Sequence, residues 1–216
     1  MTTLVKAEGV SLSKSVREQI LNAFKRGGII AYPTETFYGL GVDPFNETAI
    51  KRLFELKGRD SDKPISILVK DTKMLLTVVE EIPPLAEKLI KRFWPGPLTI
   101  VFKAKKTISL ALTANTGKIG VRISGNQIAQ KLLETIDSPI TTTSANPSGK
   151  KSPVTASEVI GYFGDKIDLI LDGGMLYGKL GSTIVDVTEG DLKVIRQGEI
   201  SVEQLQDSGC KPQVKN

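Results

Sequence analysis

Apolar residues at helical spacing alternate with short apolar runs along most of the 216-residue chain. Residues 13–26 put Val16, Ile20, Leu21 and Phe24 on one face, the spacing of an amphipathic helix, and Gly27-Gly28 stops it. Residues 28–32 read as a buried strand running into Pro33. Asn46 is a good N-cap for a helix reaching Lys57, burying Ala49, Ile50, Leu53, Phe54 and Leu56, with Gly58 past its end. Further on, 64–70, 98–103, 119–123 and 140–143 read as strands. Asp71 caps a short helix, Pro83-Pro84 opens another that ends before Trp94-Pro95, and 126–136 is helical. Thr155 and Glu158 have capping-box spacing at the start of a helix to Phe163. The last part (168–171, 183–187 and 193–196) is strand-rich, with a short helix from Ser201. No repeat, charge block or Ser/Gly-rich linker divides the pattern. It predicts one mixed α/β domain over residues 1–206, an open twisted sheet carrying helices, and a short polar tail over 207–216.

Composition narrows the chemistry more than the fold. Hydrophobic content of 40% and charged content of 25% suit a soluble domain, and no apolar run approaches the roughly 20 residues of a membrane span. The N-terminus lacks the apolar segment of a secretory signal, and the single cysteine, Cys210, has no internal disulfide partner. A cytoplasmic location is therefore expected, and Asn46-Glu47-Thr48 is read as an accidental glycosylation sequon. Net charge is +5, from 29 basic and 24 acidic residues, a mild excess compatible with polyphosphate or RNA. The chain has no histidine, which excludes Ser-His-Asp and Cys-His nucleophile sets and the commonest metal ligand. What remains suits electrostatic stabilisation of phosphates.

Four polar clusters sit where strands end or helices begin. In Tyr32-Pro33-Thr34-Glu35-Thr36-Phe37-Tyr38-Gly39-Leu40-Gly41, Thr34 offers a hydroxyl at a strand terminus and the glycines permit close approach of a ligand. The segment reads equally as a turn whose threonines serve local backbone groups. Lys57-Gly58-Arg59-Asp60-Ser61-Asp62-Lys63 carries three cations that could clamp a triphosphate, although charge alone favours a helix C-terminus followed by solvated side chains. Residues 141–150 hold more Ser, Thr and Asn side chains than one turn needs, which favours a binding role for them. Ser182 and Arg196 could meet at a ligand if their strands are neighbours. By contrast, Gly173-Gly174-Met175-Leu176-Tyr177-Gly178-Lys179 imitates a phosphate loop. Leu180 stands where that motif needs Ser or Thr, and a β-branched run follows instead of a helix, so it reads as a glycine-rich turn.

Together these clusters resemble the YrdC-like family of threonylcarbamoyl-AMP synthases. The resemblance rests on Tyr32-Pro33-Thr34-Glu35-Thr36 with Tyr38-Gly39-Leu40-Gly41, Lys57-Gly58-Arg59 with Lys63-Pro64, and Phe93-Trp94-Pro95-Gly96-Pro97-Leu98-Thr99. Gly120-Val121-Arg122, Thr143-Ser144-Ala145-Asn146 with Ser148-Gly149, and Gly181-Ser182-Thr183-Ile184-Val185-Asp186 complete it in the family's order. It implies a YrdC-like fold, an open twisted sheet with a basic concave face. It also implies that Thr34, Ser66, Arg122 and Ser182 hold threonine, with Arg122 facing its carboxylate. Lys57, Arg59, Lys63, Thr142, Ser144, Asn146, Ser152 and Arg196 would surround ATP, with Lys57 and Arg59 spreading charge onto the β- and γ-phosphates. Asp60 departs from the proline many relatives carry at that point, and the chain resembles the short, single-domain type.

The implied reaction joins L-threonine, bicarbonate or carbon dioxide, and ATP into threonylcarbamoyl-AMP and pyrophosphate. Magnesium would accompany ATP, without protein side chains as metal ligands, and a tRNA threonylcarbamoyl-transferase machinery would receive the product. The competing expectation is a non-catalytic RNA-binding module of the same fold. A phosphosugar lyase is disfavoured by the missing histidine, and a zinc-bearing carbamoyltransferase by the single cysteine.

Overall fold

All strands join one sheet, and its register explains how distant segments meet. The structure, a computed structural model, describes residues 2–7, 12–60 and 62–209 and the backbone of Pro212–Gln213. Cys210 and Ser61, both singled out above, lie outside the described residues. In chain order the strands are β1 (Thr3–Lys6), β2 (Ile30–Pro33), β3 (Tyr38–Gly41), β4 (Ser66–Leu68), β5 (Leu98–Lys103) and β6 (Lys118–Arg122), then β7 (Ile140–Ser144), β8 (Leu169–Asp172), β9 (Thr183–Asp186), β10 (Leu192–Arg196) and β11 (Pro212–Gln213). They lie in the order β1-β8-β2-β3-β7-β4-β6-β5-β9-β10-β11, with parallel and antiparallel pairs mixed. The mixed α/β sheet expected from the sequence is present.

The helices start and stop where local chemistry dictates. Helix α1 (Lys14–Lys25) begins at Ser13, whose Oγ accepts from the Val16 amide at 3.3 Å. Helix α2 (Glu47–Lys57) begins at Asn46 and ends on Gly58 in the left-handed region, φ 55°. Asp71 caps α3 (Thr72–Val78), and Pro84 opens α4 (Pro84–Phe93). Next come α5 (Leu110–Thr113) and α6 (Gln127–Ile136). The expected capping box forms, Thr155 with Glu158 at α7 (Ala156–Phe163), and an unexpected one, Ser201 with Gln204, opens α8 (Val202–Asp207). Helices α1 and α6 pack on each other and on β2, whose four residues are all buried.

Three strands escaped the sequence pattern. β1 forms an edge beside β8, and α5 and β11 were likewise unread. More consequential is β3, expected as part of a turn. Residues 38–41 instead pair antiparallel with both β2 and β7. Gly41 serves strand packing: a Cβ there would lie 2.6 Å from the Thr141 carbonyl oxygen and 2.6 Å from Ile140 Cγ1, whereas Gly39 lines the cavity described below.

Across the middle of the sheet, pairing sorts residues onto two faces. Ile67, Val121, Ile100 and Val185 are mutual register partners and fully buried, forming an apolar row. The alternate positions, Ser66 beside Thr142, then Arg122, then Thr99 beside Ile184, occupy the other face. Arg196 pairs with Ile184, and Ser144 with Gly39. One face is thus core and the other is polar.

Candidate active site

On this polar face lies a cavity of about 420 Å³, in the range typical of small-molecule sites. Its lining includes Thr34, Arg59, Ser66, Arg122, Thr142, Ser144, Ser152, Ser182 and Arg196 from the expected set. Three arginines and nine serines or threonines line it, and among the described lining residues there is no carboxylate. Such a surface is chemically suited to anions.

Each side chain has a structural reason for its place. Thr34 Oγ1 donates to the Phe37 carbonyl at 2.7 Å and accepts from the Thr36 and Phe37 amides, closing the turn between β2 and β3. Thr34 therefore stabilises its turn and lines the cavity as well. Ser182 Oγ lies 2.8 Å from Thr99 Oγ1, a contact created by parallel pairing of β5 with β9. Arg196 Nη2 donates to the Ser182 carbonyl at 2.7 Å, so the neighbourly strands proposed for these two residues exist. Arg59 Nε and Nη2 donate to the carbonyls of Lys63 and Pro64 at 3.1 and 2.9 Å, which fixes its guanidinium against the residues leading into β4. Burial pushes the Arg196 guanidinium below the usual arginine range, and the positive charge of Arg122 adds to this. Burial likewise lowers Arg59, partly countered by Asp60 and Asp62. Both remain cations at neutral pH.

Three expected ligands do not line the cavity. Lys57 is only 2% exposed, and its Nζ donates to the carbonyls of Ser144 and Asn146 at 2.5 and 2.6 Å. It pins the loop after β7 from below rather than facing a triphosphate. The last turn of α2 aims it inward, so its cationic tip meets backbone before it can meet a ligand. Asn146 turns inward too, with Nδ2 donating to the carbonyls of Pro147 and Lys150 at 2.9 and 2.7 Å. Lys63 is exposed and paired with Asp60 at 2.7 Å. The short spacing that made it look like a clamp lets it find a neighbouring carboxylate instead.

Several lining residues went unassigned from the sequence. Thr99 was within reach, because β5 alternates Leu98, Ile100 and Phe102 inward and therefore turns Thr99 to the other face. Thr36 and Thr143 lay in polar clusters singled out above but were given no individual role, and Gln197 carried no signal. The glycine-rich 173–179 segment is not a phosphate loop: no helix follows it, and the next element is β9. Tyr38 holds it, donating from its hydroxyl to the Gly174 carbonyl at 2.8 Å. Gly178 packs so tightly on the β2–β3 turn that a Cβ would come within 2.1 Å of the Thr36 carbonyl oxygen.

The sequence of residues 22–198 matches the profile of the Sua5_yciO_yrdC family, described as "Telomere recombination". The chain belongs to this family. A Pyrococcus abyssi relative, a threonylcarbamoyl-AMP synthase, is 41% identical over 182 residues, covering 84% of this chain and 54% of the relative. The chain thus spans about half that relative's length. A Mycobacterium tuberculosis relative is 34% identical over 185 residues, covering 86% of this chain and 85% of its own length. Pyrococcus abyssi Sua5 complexed with L-threonine superposes with a TM-score of 0.90 at 36% identity, over 96% of this chain and 60% of the Sua5 chain. In the Sua5_yciO_yrdC chain described here, the polar cavity lies within the residues that match the family profile.

Proposed function

We propose that this chain is an L-threonylcarbamoyladenylate synthase, a nucleotidyltransferase supplying the donor for N6-threonylcarbamoyl modification of tRNA adenosine. The observation that carries this reading is the single cavity in which Arg122, Arg59 and Arg196 meet a hydroxyl-rich, carboxylate-free lining. The likeness to a threonine-bound Sua5 and to a threonylcarbamoyl-AMP synthase supports it.

In the proposed reaction the threonine amine forms an N–C bond to carbon dioxide and loses a proton, giving a carbamate. A carbamate oxygen attacks the α-phosphorus of ATP, the bond to the β-phosphate oxygen breaks, and pyrophosphate leaves. Nucleotidyl transfer asks a protein mainly for alignment and for cations where charge accumulates. Arg122, deepest of the three arginines, is suited to the threonine carboxylate, with Thr34, Ser66 and Ser182 around it. Arg59 and Arg196, with Thr142, Ser144 and Ser152, are suited to the nucleotide. Lys57 contributes by shaping the loop that carries Ser144, and Asn146 by bracing the same loop. Among the described residues no group of three or more Asp, Glu, Cys or His side chains could hold a metal. Magnesium would therefore reach the site on phosphate oxygens and water, supplying charge neutralisation there.

The test is pyrophosphate release by the purified chain. Release is expected only when ATP, L-threonine and bicarbonate are all present; release indifferent to threonine overturns the reading.

A further inference from the structure

We propose that Glu35, which does not itself line the cavity, is a positioning residue that orients Arg122 toward the carboxylate of the bound amino acid. The proposal rests on the threonine reading above. Glu35 lies in the turn between β2 and β3, with its side chain 22% exposed, and its Oε2 accepts from Arg122 Nη2 at 3.1 Å. The same oxygen accepts from Ser124 Oγ. Ser124 is fully buried and in turn accepts from the Asn126 amide at 3.2 Å, at the residue that caps α6. Glu35 is thereby tied to the start of a helix, and through it Arg122 is held to that framework.

The pair is joined through one oxygen and one nitrogen only. Glu35 Oε1 and Arg122 Nε are both buried without a partner. Arginine–carboxylate pairs frequently engage two parallel N–H···O bonds. Here Glu35 grips one corner of the guanidinium, while Arg122 also lines the cavity. It also supplies a countercharge to Arg122, whose positive charge is felt by Arg196. Orientation and countercharge act in opposite directions on an incoming carboxylate. A fixed fork favours it, and a nearby negative charge disfavours it. We assign the dominant role to orientation, because a guanidinium recognises a carboxylate through the direction of its N–H bonds.

Two substitutions separate the effects. Glu35→Gln keeps an oxygen acceptor for Nη2 and removes the charge; Glu35→Ala removes both. Calorimetric titration of each variant with L-threonine, and separately with ATP, is read beside thermal melting. Glu35→Ala is expected to weaken threonine about tenfold, while ATP stays within about threefold and Glu35→Gln retains most of the threonine affinity. Equal losses for threonine and ATP, or tighter threonine binding by both variants, overturn the proposal. Should Glu35→Ala not fold, Ser124→Ala removes the second anchor alone and is expected to weaken threonine selectively; no change there counts against it. If the wild-type chain binds no threonine, the functional reading itself falls. If it binds threonine and the variants do not discriminate, only the role of Glu35 falls.

Discussion

The ammonium nitrogen of Lys57 lies 2.5 Å from the carbonyl oxygen of Ser144 and 2.6 Å from that of Asn146, so one buried side chain fixes the backbone of a cavity-lining loop. Lys57→Met preserves length and apolar bulk and strands both carbonyls. Leaving buried acceptors unpaired costs about 1–3 kcal/mol each, so the variant should unfold at clearly lower denaturant concentration. Nucleotide binding should weaken with it, since Ser144 moves with its loop. A fully stable Lys57→Met protein that merely bound ATP less tightly would return Lys57 to a direct role.

Burial, with the nearby charge of Arg59 adding to it, lowers Lys57 from its ordinary 10.5 to about 7. Between those values the unfolded chain binds a proton that the folded chain does not, so this group adds stability as pH rises above 7. That part is lost progressively as pH falls from 10.5 toward about 7, and is gone below it. The stability advantage of wild type over Lys57→Met, followed by chemical denaturation, should therefore widen from about pH 7 to about pH 9. A constant difference across that range would show that Lys57 does not titrate there.

Arg122→Ala should impair threonine use more than nucleotide use. We expect KM for threonine to rise at least about tenfold and KM for ATP to change within about threefold, in steady-state pyrophosphate release. Equal losses would contradict a carboxylate role for Arg122.

Gly120 packs against Ser66 and Thr99, two residues that line the cavity. A Cβ there would lie 2.7 Å from Ser66 Oγ and 3.0 Å from Thr99 Cγ2, displacing two lining residues. Gly120→Ala should lower activity by about tenfold while costing about 1–3 kcal/mol of stability. Unchanged kinetics for both substrates would mean that neither Ser66 nor Thr99 contributes at its present position.

Local signals in the sequence were enough to locate most helices. Asn46 with Gly58, Thr155 with Glu158, and Ser201 form caps whose hydrogen bonds close within four residues, and all of them appear in the fold. Strand β3 was missed because Tyr38-Gly39-Leu40-Gly41 has little strand propensity of its own; β2 and β7 hold it by pairing on both sides. The hydroxyls at Thr142 and Ser144 were recognisable as surplus to a turn, whereas the directions taken by Lys57 and Lys63 were not legible. Charge along a chain does not reveal which way a side chain turns. One found carbonyls beneath the cavity and the other a carboxylate three residues away.

Capping residues, apolar spacing and the inventory of side chains, lacking histidine, were sufficient to define a mixed α/β chain and an anion-binding chemistry. Strand register did the rest. Ser66, Arg122, Thr99 and Ile184 share a face because four strands from separate parts of the chain pair in one alignment, and a shift of one residue would send each of them into the core. The pairing of Glu35 with Arg122 belongs to that same level, since 87 positions of chain separate two groups that only the closed sheet brings to 3.1 Å.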